Sequence, residues 1–173
     1  MGGWSDLLVR LHVDPSGRLQ WSAPTTLAVR AAVALPSYLG LDPPPAPLVD
    51  ALPWRSDAHL AVCLGAFPGL RILRQPFGET LLGFLCSATK QIVQIKQMLA
   101  LLADRHGTAI GVEINGQPWK QLPAWDRLAT IPEVDLRACL LGFRARYIHE
   151  TARFLAAHPG WLEATEAAPY ADA

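Results

Sequence analysis

Hydrophobic positions along this chain change their period more than once, and the changes mark its elements. Leu7 to Val13 and Leu19 to Ser22 are short apolar runs on either side of Asp14-Pro15-Ser16-Gly17, a turn sequence with proline second and glycine fourth. This predicts a β-hairpin. Leu27, Arg30, Ala31 and Ala34 then recur at helical spacing, with Thr25 or Thr26 placed to cap a helix that Pro36 closes at about Leu35. The proline-rich run Leu41 to Pro47 reads as an extended linker.

Beyond the linker the pattern is helical as far as Gly107, with segments at Leu48 to Leu52, Ser56 to Phe67, Phe77 to Ala88 and Lys90 to Arg105. In the last of these, Ile92, Ile95, Leu99 and Leu102 form one apolar stripe that leaves Lys96 and Gln97 outside it. Ala109 to Pro123 holds Asn115-Gly116 between β-prone pieces, which predicts an irregular extended arm or a small hairpin. Helices resume near Ala124, near Val134 and from Arg144 to Ala157, and His158-Pro159-Gly160 breaks the chain before a short acidic segment. The whole pattern predicts an α+β fold, mainly α, with a small β-containing N-terminal portion and no internal repeats.

Hydrophobic residues make up 51% of the 173 and charged ones 17%, which provides for one core or two small subdomains sharing an interface and excludes a disordered tail. So large an apolar excess also fits a surface that meets a neighbour. Uninterrupted apolar runs are too short for a membrane span, and Asp6 breaks the first one, so no signal peptide is expected. The expected setting is cytoplasmic, with association to the nucleoid in a bacterium. Cys63, Cys86 and Cys139 are widely spaced and sit in apolar helical patterns, which predicts buried thiols rather than a disulfide framework or zinc site.

The formal net charge is zero, which taken alone argues against nucleic acid. Distribution changes that picture. Residues 71–96 hold Arg71, Arg74, Lys90 and Lys96 against Glu79, and residues 137–153 hold Arg137, Arg144, Arg146 and Arg153 against Glu150. Acidic side chains lie elsewhere, at Asp42, Asp50, Asp57, Glu163, Glu166 and Asp172. On charge alone, two solvated helix faces are the plainer reading.

The residues themselves carry more. Phe84-Leu85-Cys86-Ser87-Ala88-Thr89-Lys90-Gln91-Ile92-Val93-Gln94-Ile95 sets a polar joint in an apolar frame, and Leu141-Gly142-Phe143-Arg144-Ala145-Arg146-Tyr147 opens a later helix. Both resemble the 8-oxoguanine DNA glycosylase/AP lyase family of the helix-hairpin-helix superfamily. The family reads roughly Phe-Ile-Cys-Ser-Ser-Asn-Asn-Asn-Ile-x-Arg-Ile and Leu-Gly-Tyr-Arg-Ala-Arg-Tyr at these places. A weaker match, Gly69 to Gln75, resembles the family's Gly-x-Arg-Leu-Leu-Arg-Gln and places a boundary. Residues 1–70 are then a partial N-terminal glycosylase domain, a β-hairpin plus helices, and residues 71–173 a partial helix-hairpin-helix domain. The resemblance covers Leu39 to Ala173; residues 4–38 fit loosely, and the segment with the family's lesion-reading glycine has no counterpart.

Enzymes that remove a base flip it out of the duplex, so they need phosphate anchors, a wedge for the vacated stack and groups that hold the orphaned base. The resemblance implies that Phe143 replaces an intercalating tyrosine and that Arg144 reaches the orphaned cytosine. Thr89, Lys90 and Gln91 stand where the family has asparagines, and Gln94 where it has an arginine, which puts cytosine selectivity in question. Gln91 and Gln94 still offer hydrogen bonds to a base edge, and Lys90 a contact to phosphate. Arg146 completes the DNA-binding set, and Phe84 is expected to line a pocket. The structural alternatives are an ordinary polar helix start, Phe143 in the core and Arg144 as surface charge.

The family's hairpin Leu-Pro-Gly-Val-Gly, its nucleophilic lysine and its assisting aspartate have no counterpart here. Lys90, Lys96 and Lys120 lie in the opening helices and the arm, so no catalytic residue is expected in this chain. The histidines lack metal-ligand spacing, no nucleophile-elbow sequence accompanies Ser87, and the tryptophans read as core or interface. The resemblance thus implies base-excision repair by an 8-oxoguanine DNA N-glycosylase with DNA-(apurinic or apyrimidinic site) lyase activity in the full-length relative. It implies a monomer acting on double-stranded DNA containing oxidised guanine, without metal or cofactor. Two alternatives stand beside it: a non-catalytic DNA-binding module, and an alkylated-base DNA glycosylase of the same superfamily.

Overall fold

The computed structural model describes residues 2–41, 46–68 and 70–169. The first elements are β1 (Gly2–Trp4), β2 (Leu7–Val13), β3 (Leu19–Ser22), α1 (Ala28–Tyr38), α2 (Ala46–Ala51) and α3 (Ala58–Ala66). Then follow α4 (Phe77–Ser87), α5 (Ile92–His106), β4 (Ala109–Ile114), β5 (Gln117–Lys120), α6 (Trp125–Thr130), α7 (Glu133–Leu136), α8 (Arg144–Ala157) and α9 (Trp161–Ala167). The fold is α+β and mainly α, as the periodicity predicts. Most of the expected linker, with Asp42, lies outside the described residues, as do Gly69 and Asp172. Two compact units result, one of residues 8–75 and one of residues 2–7 with 76–169.

In the first unit β2 and β3 pair antiparallel, with Arg10 opposite Ser22 and Val13 opposite Leu19. One carboxylate organises their turn. Asp14 accepts hydrogen bonds from the Ser16 and Arg18 amides, both at 2.9 Å, from the Ser16 hydroxyl at 2.6 Å and from the Gln20 amide at 3.0 Å. These bonds, that of the Ser16 hydroxyl foremost, pull the carboxyl down to about 2 from its usual 3.8. Gly17 supplies the positive φ of 81° that the turn requires.

Two expectations for α1 are corrected. Neither Thr25 nor Thr26 caps it; the entry is a backbone turn through Pro24 that delivers buried Leu27 as the N-cap. Nor does Pro36 close it, since a proline so near the end removes a single amide, and Leu39 N still reaches Leu35 O at 2.9 Å while Leu41 N reaches Pro36 O at 2.8 Å. Helix α3 starts at Ala58 because the Asp57 carboxylate accepts from the His59 and Leu60 amides. Cys63 on α3 is exposed rather than buried, because a helix apolar on every side does not declare which face goes inward. The extended run before Pro76 is tied to the end of α1 by Arg74 N to Tyr38 O at 2.9 Å and by Arg71 Nη1 to Gly40 O at 3.1 Å.

The second unit has its core where α4, α5, α6, α7 and α8 meet, around Leu82, Cys86, Met98, Leu102, Leu128, Leu136, Ile148 and Ala152. The stripe of α5 is shifted from the expected one: Met98 and Leu102 are buried, Ile95 and Leu99 pack against the core, and Ile92 is exposed. Ile92 opens the helix and so lies past the reach of its neighbours. The arm resolves into the hairpin β4–β5, whose turn residues Asn115 and Gly116 have φ of 53° and 74°, the positive pair of a tight type I′ connection.

Because the Asp14 pKa is depressed on folding, its contribution is complete above 3.8 and is lost as pH falls through about 2. The protection of the Ser16 and Arg18 amides, relative to their intrinsic exchange rates, should therefore fall as pH drops from about 4 to about 2, and Asp14→Asn should abolish that dependence; an unchanged profile would refute the role. In the core, Leu136→Ala should cost about 2–5 kcal/mol in urea unfolding, while Val134→Ala, on an exposed position of the same short helix, should stay within about 0.5 kcal/mol.

Candidate nucleic-acid interface

Two irregular turns of the second unit carry most of the residues singled out in the sequence. The first joins α4 to α5, where Ala88 is extended and Thr89 has a φ of 55°. A β-branched residue in the left-handed region is strained. The second lies between α7 and α8, where Leu140 has a φ of 63° and Gly142 a φ of 58° with ψ of −130°. That last combination belongs to glycine.

The Arg144 side chain joins the two turns. It is 3% exposed, and its Nη1 donates to Leu141 O at 3.2 Å in its own turn. Its Nη2 donates to Ala88 O and, at 3.0 Å, to Thr89 Oγ1 in the other. The guanidinium also lies 4.3 Å from the centre of the Phe143 ring. Phe143 itself is 52% exposed, and Tyr147 meets its ring edge-on at 6.2 Å. The alternatives of a core Phe143 and a surface Arg144 are thus reversed: the ring is outside and the cation inside. The turn carbonyls and the Thr89 hydroxyl occupy the Arg144 guanidinium in this structure.

The other residues surround this pair. Gln91 is the N-cap of α5, and its side chain and that of Gln94 form a reciprocal capping box, with Gln91 N donating to Gln94 Oε1 at 3.2 Å. Both glutamine side chains thus satisfy helix amides. Lys90 is half-buried, and Lys90, Lys96 and Arg153 have no ion-pair partner among the described residues. Arg146 is exposed and pairs with Glu150 at 2.8 Å, as Arg137 does with Glu133. Phe84, expected to line a pocket, is 72% exposed and lines neither cleft described in this unit. Buried Cys86 is pushed up to about 11 by desolvation, against the pull of the nearby Arg144 charge, so it stays a neutral thiol.

A cleft of about 490 Å³ in this unit lies apart from these turns and is lined by Phe77, Glu79, Trp125, Leu162, Glu163 and Glu166 among others. Burial raises the Glu79 carboxyl, opposed by the hydrogen bond it accepts from Ser5 N at 2.6 Å. Sequence reasoning counted Glu79 only as a charge. Its place in the first turn of an apolar helix was the signal that could have marked it.

No family model matches the chain. It is 38% identical over 98 residues to "N-glycosylase/DNA lyase OGG1" of Arabidopsis thaliana, a match spanning 54% of this chain and 26% of that protein. It is 39% identical over 88 residues to the N-glycosylase/DNA lyase of Saccharomyces cerevisiae, across 50% of this chain and 23% of that one. Over about half its length the chain is similar to N-glycosylase/DNA lyases. It spans about a quarter of the length of these curated relatives. Among solved structures, MBOgg1 in complex with a low affinity DNA ligand superposes with a TM-score of 0.78 over 96% of this chain and 56% of that one, at 24% identity. The apo 8-oxoguanine glycosylase/lyase of Clostridium acetobutylicum gives 0.72 over 92% of this chain and 60% of that one, at 22% identity. These likenesses establish that the chain shares the fold of those structures.

A Cβ at Gly142 would touch nothing within 4 Å, so only the backbone opposes a substitution there. Gly142→Ala should therefore cost about 1–3 kcal/mol in chemical denaturation through strain alone. No change in stability would mean that the turn before α8 relaxes freely.

Proposed function

We propose that this chain serves base-excision repair as the DNA-engaging part of an 8-oxoguanine DNA N-glycosylase with DNA-(apurinic or apyrimidinic site) lyase activity, and that its partner is duplex DNA containing oxidised guanine. The observation that carries the reading is Phe143, an aromatic ring held outward beside two strained turns and over the Arg144 guanidinium, which has no carboxylate partner among the described residues. A flat apolar ring can occupy the gap left by a flipped base, and unpaired lysines supply the phosphate attraction. In this reading Phe143 is the wedge, Lys90 and Arg146 meet phosphates, and Thr89, Gln91 and Gln94 face the DNA across the first turn. Arg144 stands behind them. Residues 1–70 and 71–173 correspond to portions of the N-terminal and helix-hairpin-helix domains of such an enzyme.

No helix among the described residues is long and apolar enough to cross a membrane, and the reading places the protein with DNA, in the cytoplasm or on the nucleoid of a bacterium. It invokes no metal or cofactor. The chain alone is proposed to lack lyase activity. Of its three lysines, Lys120 is engaged with Asp104 through its backbone carbonyl and carboxylate. Lys90 and Lys96 belong to the turn and face of α5. This engagement of Lys120 also favours the second reading, a DNA-binding module without catalysis of its own.

Borohydride trapping on an 8-oxoguanine duplex should give no covalent adduct; an adduct would overturn the non-catalytic assignment and point to one of the three lysines. Binding to a duplex with an abasic gap should weaken steeply with salt, and Phe143→Ala should lower the preference for the gapped over the intact duplex about tenfold. Equal binding of both duplexes by the unaltered chain would defeat the wedge assignment and leave the simple binding module.

A further inference from the structure

We propose that the paired clefts beside α9 are a docking site for a basic amphipathic segment of another protein, one in which lysine or arginine is interspersed with large apolar side chains. The site is separate from the DNA-facing turns.

The clefts arise from how the chain leaves α8. Gly160, at a φ of 82°, turns it into α9, which runs for seven residues without burying one of them. Two clefts border this helix, of about 490 Å³ and about 240 Å³, and Trp125, Leu162 and Glu163 line both. The larger alone is within the range of about 300–1,000 Å³ common to ligand sites. Phe77, Leu82 and Trp125 give it apolar walls, and the Trp125 ring is fixed, its Nε1 donating to Gly78 O at 3.1 Å. Apolar side chains entering there meet walls that are already ordered.

Charge decides the occupant. Glu79, Glu163 and Glu166 line the larger cleft, and Asp126 and Glu163 the smaller, while no lysine or arginine lines either. None of these four carboxylates forms an ion pair among the described residues. Glu79, Asp126 and Glu163 each stand in the first turn of a helix, where the helix dipole favours a carboxylate. That dipole supplies only about half a charge at each helix end, and Glu166 lies past the first turn of α9, so the clefts stay negative. Burial raises the Glu79 carboxyl against the one hydrogen bond it accepts, from Ser5 N, so its charge is held at a cost that a neighbouring cation would lower.

Other classes of occupant fit less well. No group of His, Cys, Asp and Glu among the described residues could hold a metal ion, and the carboxylates repel nucleic acid. Lys90, Arg144 and Arg146 line neither cleft. Apolar walls under an acidic rim match a polypeptide that carries both kinds of side chain, as when an amphipathic helix lays its apolar face in a groove and its charges over the edge.

The probe is a short fluorescein-labelled peptide of leucine and lysine in amphipathic helical order, titrated with the full chain at physiological salt and read by anisotropy. It should bind. Peptides with glutamate for every lysine, or serine for every leucine, should bind at least about tenfold more weakly. Glu163→Lys and Glu166→Lys, both at exposed positions, should each weaken binding about tenfold. Glu113→Lys, an equal change of charge at an exposed position of β4, should leave it within about twofold. Equal weakening by Glu113→Lys, or undiminished binding of the serine peptide, would reduce the site to diffuse surface charge and overturn the proposal. Failure of the leucine–lysine peptide to bind would overturn it too, as would self-association of the chain that excludes the peptide, since a second copy would then be the occupant. No DNA enters the titration, so its outcome stands apart from that of the DNA-binding experiments.

Discussion

The aromatic ring and the arginines of the second turn take their positions from the phase of α8. Ala145, Ile148, Ala152 and Leu155 recur three and four residues apart and bury one stripe of that helix in the core of its unit. The two alanines matter as much as the large residues, because a short side chain lets the helix lie close to α6. Successive helical residues are about 100° apart. With Ala145 fixed inward, Arg144 falls at the inner edge of the stripe and Arg146 falls outside it. Phe143, one step earlier and already on the turn, emerges at the surface. A different phase would bury the ring and expose the cation, which is the arrangement the residue types alone would suggest.

The same placement sets which charges of a chain of zero net charge are paired and which are not. Glu133 and Glu150 each neutralise an exposed arginine on a neighbouring helix turn. Exposed pairs of this kind are screened and contribute little. Arg144 faces only carbonyl and hydroxyl oxygens. Its charge is therefore not cancelled locally, and with little water beside it the field extends farther than that of a surface arginine. The clusters of basic residues in the sequence overstated the interface in one respect. Arg71 and Arg74 belong to the other compact unit, and Arg71 is bound to Gly40 O.

Elements whose signal is local were legible in the sequence. The Asp14-Pro15-Ser16-Gly17 and Asn115-Gly116 turns state their own geometry, and Arg144 to Ala157 has the bounds its periodicity predicts. Signals that depend on what lies opposite were not. Pro36 stayed inside α1 because only one amide is lost so near the helix end and later amides still close its last turn, and Ile92 was exposed because no neighbour covers the first turn of α5. The polar joint was recognised by residue type, yet its two glutamines cap a helix, a role that the spacing of Gln91 and Gln94 already encodes. The buried state of Arg144 had no local signal at all. It depends on Ala88 and Thr89, more than fifty residues away in sequence.

That long-range dependence explains why the turns can be strained and still be well defined. Thr89 and Leu140 occupy conformations that side chains with a Cβ avoid, so each turn left alone would relax. Relaxation of either would break bonds to the one guanidinium they share, and the strain in one turn is thereby held by the other. The wedge proposed above would benefit directly from this mutual restraint. An aromatic ring that must enter a base stack gives up rotational freedom on binding, a cost that falls if the ring is already held. Here Phe143 is held from beneath by Arg144 and at its edge by Tyr147, so the surface is ordered before any partner arrives.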